Sequence, residues 1–436
     1  MTATAPPGAG PAIVLSASIP GDAQFGPLPP NPTNQQKLLS IQSDFDAYSW
    51  NTFIALNWPP GPDGNGDPKK TIGQNGDNDT VWAHFRDVVE VFLPGGARPS
   101  WNGPETVPAE CTAGFAPGMR VISQVGKTPT VLTDISQPFN TGPLIDQNGI
   151  YTRYEILVNK AMFDYILTNT LYSKAGQNAF SGVVKFPCGV LGGAEGAIVV
   201  KSSWKVVDAA EKSRFHTEQV LVYTPASQSP KYPASCRKQL MGLVGLHIAH
   251  KTNSGSQWLW STFEHVDNAP SDADVSSGNL KAKYNYYAPK CTAANCPPNQ
   301  VPPRPWDPTK VSTFHSQVVR MNMFKNKDID NAFAFTSAAA RNADARRLLA
   351  GVNPNSVWQN YELVSTMWPA TTGKCQADPR FPLGNPTPVF LANTTLETYI
   401  QGMVPHVSST CIDCHNDAKT TNSAPSDFTY VLARAN

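Results

Sequence analysis

The chain reads as an α+β protein, an antiparallel β-sheet core with surrounding helices and a loop-rich periphery. Three observations predict this class. Four stretches between Ala197 and His265 are dense in β-branched and aromatic residues and are separated by polar or Pro-containing turns, the pattern of antiparallel strands. Segments with a 3.6-residue apolar period lie before and after them, so the helices are segregated around one sheet. The 436 residues include 40 Pro and 31 Gly, with only 15% charged side chains, a composition that joins modest elements by irregular connections.

Residues 1–33 are dense in Pro and Gly without periodicity and predict an extended arm on the surface. From Gln35 to Trp58, Leu38, Ile41, Phe45, Tyr48 and Phe53 recur near helical spacing, and Pro59-Pro60 stops the helix because proline cannot continue its hydrogen-bond ladder. Asp63 to Asp79 is a polar loop, with Pro68 and Gln74 standing where a calcium-binding EF-hand needs Gly and a bidentate Glu. Helices are expected over Val81–Phe92 and Asn159–Leu171. Strands are expected over Ala197–Val207, Phe215–Tyr223, Leu240–His250 and Gln257–His265. An irregular excursion follows over 267–308, then a helix over Ser337–Leu349 and a strand over Val357–Met367. The chain thus divides into the arm 1–33, an α+β body 34–384 (helical to 175, mainly β from 176) and a segment 385–436 packed on that body.

The 34 basic and 33 acidic side chains leave a net charge of +1, so no global field draws the chain to nucleic acid or to an anionic membrane. The longest apolar run, Leu240 to Ala249, is about half the ~20 residues a membrane-spanning helix needs.

Chemistry concentrates near the C-terminus. Cys411-Ile412-Asp413-Cys414-His415 has the spacing of a c-type haem attachment site. Two thiols three residues apart on one turn reach the two vinyl groups of a haem edge, and the adjacent imidazole lies under the iron as its proximal ligand. By composition alone the pattern arises about three times in a thousand such chains. A thioredoxin-like pair would need a βαβ context, and a zinc site a second ligand pair. The expectation is one covalent haem c, with His415 on the metal. Only 21 residues follow His415 and none is Met, so the ligand and roof of a small electron-carrying cytochrome cannot come from beyond the motif.

Covalent haem is installed outside the cytoplasm. Met1 to Gly10 lacks a secretory signal, so the chain reads as a mature periplasmic or secreted form. Cys111, Cys188, Cys236, Cys291, Cys296 and Cys375 remain, an even number that in an oxidising compartment predicts up to three disulfides, Cys291–Cys296 closing a local loop.

Three further segments carry a resemblance. Ser49–Pro59 (SWNTFIALNWP), Gln257–Pro270 (QWLWSTFEHVDNAP) and Ser426–Leu432 (SDFTYVL) resemble segments of large bacterial single-haem proteins of the cytochrome c family, over most of the chain beyond residue 34. The resemblance implies a haem protein and no particular reaction.

The sixth position on the iron decides between electron transfer and chemistry. Met403, eight residues before Cys411, could wrap a haem edge, since that stretch spans up to ~26 Å. His406 suits a propionate or solvent. A hairpin of 240–250 on 257–265 would pair His247 with Trp260, Ala249 with Trp258, Gly245 with Thr262 and Leu243 with Glu264. One face then carries His247, Trp258, Trp260 and Glu264 beside Gly245 and Ala249, a cavity wall. His250 and His265 take the other face, and the four groups match no metal-binding motif. The expected function is a periplasmic single-haem oxidoreductase acting on a small molecule, peroxide or oxygen, with His247 and Glu264 as distal acid–base groups. The alternatives are an electron carrier serving a redox partner protein and a haem-based sensor.

Overall fold

The structure is a computed structural model that describes residues 10–74, 79–123, 142–292, 294–321, 329–369, 375, 386–401 and 410–436, with side chains of the helix Ile329–Val352 described from 337 onward. It has the expected α+β class. Its strands are β1 (Arg86–Asp87), β2 (Val121–Ile122), β3 (Arg153–Val158), β4 (Ile198–Val206), β5 (Thr217–Thr224), β6 (Ser227–Gln228), β7 (Lys231–Tyr232), β8 (Ser235–His250), β9 (Leu259–His265), β10 (Tyr361–Pro369) and β11 (Pro386–Thr387). The main sheet runs β1-β3-β4-β8-β9-β10-β11, and β5, with β2 beside it, pairs with the first half of β8. The sixteen-residue β8 is its spine, antiparallel to β4, β5 and β9.

Two apolar layers cover the sheet. On one face lies the helix Asn34–Leu56, opened by a capping box between Thr33 and Gln36 that satisfies two terminal N–H groups. Its second half is buried on nearly every side. Phe53 stacks on Phe263 and meets Trp358 edge-on, and Ser49 shares hydrogen bonds with Ser261 and Thr366, both 2.6 Å. The helix Ile329–Val352 packs beside it. The described part of the N-terminal arm lies against this layer through Ile13, Leu15, Ala17 and Ile19. The second layer joins the helix Lys160–Thr168, Trp258, Trp260 and the C-terminal residues Ile412, Phe428 and Leu432.

The expected Val81–Phe92 helix is instead a 3-10 turn (Val81–His84), the two-residue β1 and a single turn Val88–Val91 capped by Asp87. Pairing of Arg86 and Asp87 with Val158 and Leu157 captures this stretch at the sheet edge, where tertiary hydrogen bonds outweigh helical spacing. Strand β3 falls inside the stretch read as helical. All six of its residues are buried, so no polar alternation marks it.

A bulge shapes the spine. Ser203 pairs with Gly245 but Trp204 with Leu243, so Val244 is the extra residue in β8. One inserted residue reverses the alternation. Leu246 and Ile248 therefore share a layer with Leu243 and Met241, and the side chains before and after the bulge change faces accordingly.

Six cysteines pair as Cys111–Cys236, Cys188–Cys375 and Cys291–Cys296, and Cys411 and Cys414 stand outside these three disulfides. No helix among the described residues is long and apolar enough to cross a membrane.

Candidate cofactor site

Between the second face of the sheet and the C-terminal segment lies a cavity of about 290 Å³, and Cys411, Cys414 and His415 all line it. The sheet contributes Ile156, Val199, Lys201, His247, Ala249 and Trp260, and the tail contributes Phe428 to Val431 and Arg434. The lining is largely apolar and aromatic, with two permanent cations, Lys201 and Arg434, and one acidic residue, Glu397.

The helical turn Cys411–Asn416 presents the motif. Thr410 opens the turn, held by its hydroxyl on the Val389 carbonyl (2.6 Å), and the Cys414 N–H returns to the Thr410 carbonyl (3.0 Å). The chain then doubles back through Ser426, whose N–H reaches Ala418 O at 3.1 Å. Asp427 and Phe428 follow at φ 53° and 62°, a left-handed pair of non-glycine residues. That turn aims the Phe428 carbonyl at His415 Nδ1, 2.7 Å away, a bond in which the ring donates from Nδ1 and keeps Nε2 as an acceptor. Trp260 packs on the His415 ring with centroids 4.4 Å apart, and Tyr430 meets it edge-on at 5.2 Å. The Tyr430 hydroxyl also donates to Cys414 O at 2.8 Å.

A buried ion pair holds the turn. Lys251 binds both oxygens of Asp427, and each side chain is almost wholly inaccessible. Asp427 also accepts from the Phe186 N–H (2.8 Å), and its carbonyl accepts from Trp258 Nε1 (2.9 Å).

His247 lines the same cavity, with Nε2 2.9 and 3.1 Å from the two Glu397 oxygens and Nδ1 3.0 Å from Thr262 Oγ1. The expected register of the hairpin needs correction by two residues. His247 faces Thr262, Ala249 faces Trp260 and Gly245 faces Glu264. The connection runs from Lys251 to Trp258, longer than expected, because Trp258 lies outside β9 with φ 68° and its N–H closes a turn on Gly255 O. A shift of two preserves the faces, so the grouping of His247, Ala249, Trp258 and Trp260 in one wall holds.

Glu264 lies on that face but outside the cavity lining. Its buried carboxylate accepts from Arg320 (2.8 Å), from the Thr394 N–H (2.6 Å) and from the Thr394 hydroxyl (2.5 Å). It thereby anchors the turn Asn393–Glu397, and Glu397 is the carboxylate that reaches His247. Glu397, Lys201, Arg434 and the Lys251–Asp427 pair have no spacing motif. The only sequence signal was charge embedded in apolar surroundings, at Lys251 beside a core strand and at Asp427 beside Phe428.

His250 and His265 sit on the opposite face as expected. Tyr48 and the Glu195 carbonyl hold His250, and Phe215 stacks on His265. Burial pushes both imidazoles down to about 4. No group of three or more His, Cys, Asp or Glu side chains among the described residues is arranged to hold a metal ion. Met403 and His406 lie outside the described residues.

No family model matches the chain, and no curated protein or solved structure matches it either.

Proposed function

We propose that the protein is a single-haem c-type redox protein that turns over a small molecule in this cavity. The observation that carries the reading is the convergence of Cys411, Cys414 and an Nδ1-donating imidazole on one apolar cavity. The residues fit the group. Cys411 and Cys414 would form the thioethers and His415 Nε2 would ligate the iron, while Lys201 and Arg434 match in number the two propionates. Bound there, the haem would supply one-electron and peroxide or oxygen chemistry.

The chain's own residues supply the proton. His247 donates from Nε2 to Glu397 while the Thr262 hydroxyl donates to Nδ1. On protonation Nδ1–H donates back to Thr262 Oγ1, because a hydroxyl serves as donor or acceptor without moving. Glu397 stabilises the resulting imidazolium, so the pair can take up and release a proton beside a substrate. With both ring nitrogens hydrogen-bonded, His247 is held away from metal ligation, and its proton would reach a substrate through Glu397, which also lines the cavity.

Protein matured in a periplasm able to attach haem should gain the mass of one haem and keep its colour through acid–acetone extraction. The ferric form should be at least partly high-spin, and His247→Ala should alter peroxide or cyanide reaction without releasing haem. An unchanged apoprotein mass would overturn the assignment. A purely low-spin ferric spectrum, inert to cyanide, would move the reading to an electron carrier.

A further inference from the structure

A second cavity, of about 210 Å³, opens on the other face of the sheet along the first half of β8, lined by Arg153, Thr224, Ser235, Arg237 and Gln239 under the loop around Thr309. Strand alternation in β3 and the bulge in β8 together set its lining. Ile156 of β3 lines the cofactor cavity while Arg153, an odd number of residues away, lines this one, and the extra residue Val244 turns Arg237 and Gln239 away from His247 in the same manner.

Arg153 is the anomaly. Three cationic side chains are buried among the described residues: Arg153, Lys205 and Lys251. Lys205 pairs with Glu211 and Lys251 with Asp427. The less buried Arg120 and Arg320 likewise hold Glu155 with Glu218 and Glu264 with Glu362. Arg153, only 5% exposed, has no carboxylate within ion-pair distance among the described residues. Its hydrogen-bond partners are neutral. Nη2 donates to Thr224 Oγ1 at 3.0 Å and Nη1 to the Tyr223 carbonyl at 3.4 Å, which engages two of its five N–H groups. The carboxylate nearest in the overlying loop, Asp307, is held by Lys310 and by the Thr309 hydroxyl.

Burying an unpaired cation is strongly unfavourable, and desolvation pulls this guanidinium down to about 10. Yet it stays beside a cavity that carries a second guanidinium, Arg237, the Lys310 ammonium, the hydroxyls of Tyr151, Thr224, Ser235 and Thr309, and a buried Gln239 Oε1 with no hydrogen-bond partner. A planar guanidinium with three unused donors, beside a second Arg and hydroxyl groups, is the recognition chemistry of an oxyanion. The orphan Gln239 oxygen accepts from a hydroxyl on the same ligand or from a water bridging to it. We propose that this cavity binds a small oxyanion, a carboxylate or phosphoryl group of a hydroxylated metabolite, with Arg153 as its fork. The proposal stands on residues that the haem reading does not use.

The test is calorimetric titration of the purified holoprotein with phosphate, sulfate, acetate and lactate at constant ionic strength in chloride. Saturable binding of at least one is expected. Preference for phosphate and sulfate assigns a phosphoryl ligand, and preference for lactate over acetate assigns a hydroxy acid. Arg153→Met should weaken binding about tenfold or more, with Arg153→Lys intermediate because charge remains without the fork. Saturating anion should also protect the exposed Arg237 from phenylglyoxal, a readout that needs no variant to fold. Absence of saturable binding by all four probes, or unchanged affinity in folded Arg153→Met, would overturn the proposal. So would Arg237 remaining fully reactive at saturation.

Discussion

Lys251 and Asp427 are 176 residues apart, and their pairing holds the two left-handed residues that turn the Phe428 carbonyl toward His415. Each left-handed non-glycine residue costs on the order of 1–2 kcal/mol and persists because the surroundings over-determine it. The bonds of Asp427 to Lys251, Phe186 and Trp258 are that surrounding. Removing one partner of a buried pair leaves an uncompensated charge, so Lys251→Met should lower unfolding stability by about 3–5 kcal/mol in denaturant titration. The double variant Lys251→Met with Asp427→Leu should recover part of this loss, since no charge stays buried alone. A single variant as stable as the parent would show that the pair does not hold the turn.

Among the elements, β8 decides most about the site. Its register with β9 sets His247 against Thr262, and its bulge sends His247 to one cavity and Arg237 and Gln239 to the other. Gly245 has a separate task. A Cβ there would lie 2.2 Å from Thr395 Oγ1 and 2.6 Å from Ser203 Oγ, so only glycine lets the turn Asn393–Glu397 settle on the strand. Ser203 and Thr395 then hydrogen-bond over it at 2.7 Å. Gly245→Ala should destabilise the fold by about 1–3 kcal/mol through overpacking and displace Glu397 from His247. The checks are denaturant unfolding and the NMR chemical shifts of the His247 imidazole, which should change when its carboxylate partner withdraws. Chemical shifts and stability equal to the parent's would refute the role given to Gly245.

The molecule as a whole balances two opposed pH responses in its core. His250 and His265 are buried neutral, with folded pKa values near 4 against 6.5 unfolded. Their contribution is complete above pH 6.5 and is lost as pH falls toward 4, because the unfolded chain binds the protons. Asp46 is the reverse. Burial in the helix Asn34–Leu56 raises it from 3.8 to about 6, so its contribution is complete below 3.8 and is lost as pH rises through 6. The terms offset between pH 4 and 6, and single variants separate them. Relative to the parent, His250→Gln should recover about 3 kcal/mol between pH 7 and 4. Asp46→Asn should instead gain on the parent as pH rises from 4 to 7. Unfolding at both pH values tests the signs, and a constant gap for either variant would contradict the corresponding burial.

The sequence by itself determined what is local or periodic. Helical spacing from Leu38 to Phe53, β-branched runs from Ala197 to His265, the even cysteine count and the haem-attachment spacing of Cys411, Cys414 and His415 are written in neighbouring residues. So was the face shared by His247, Ala249 and Trp260, because strand alternation survives a register shift of two. What only the tertiary structure decided are meetings between distant residues: Glu397 rather than Glu264 beside His247, Lys251 under Asp427, and Arg153 with no carboxylate partner among the described residues. The first follows from the missing side chain of Gly245, which lets the turn Asn393–Glu397 approach the sheet. All three appear only when chain segments 70 or more residues apart are packed together.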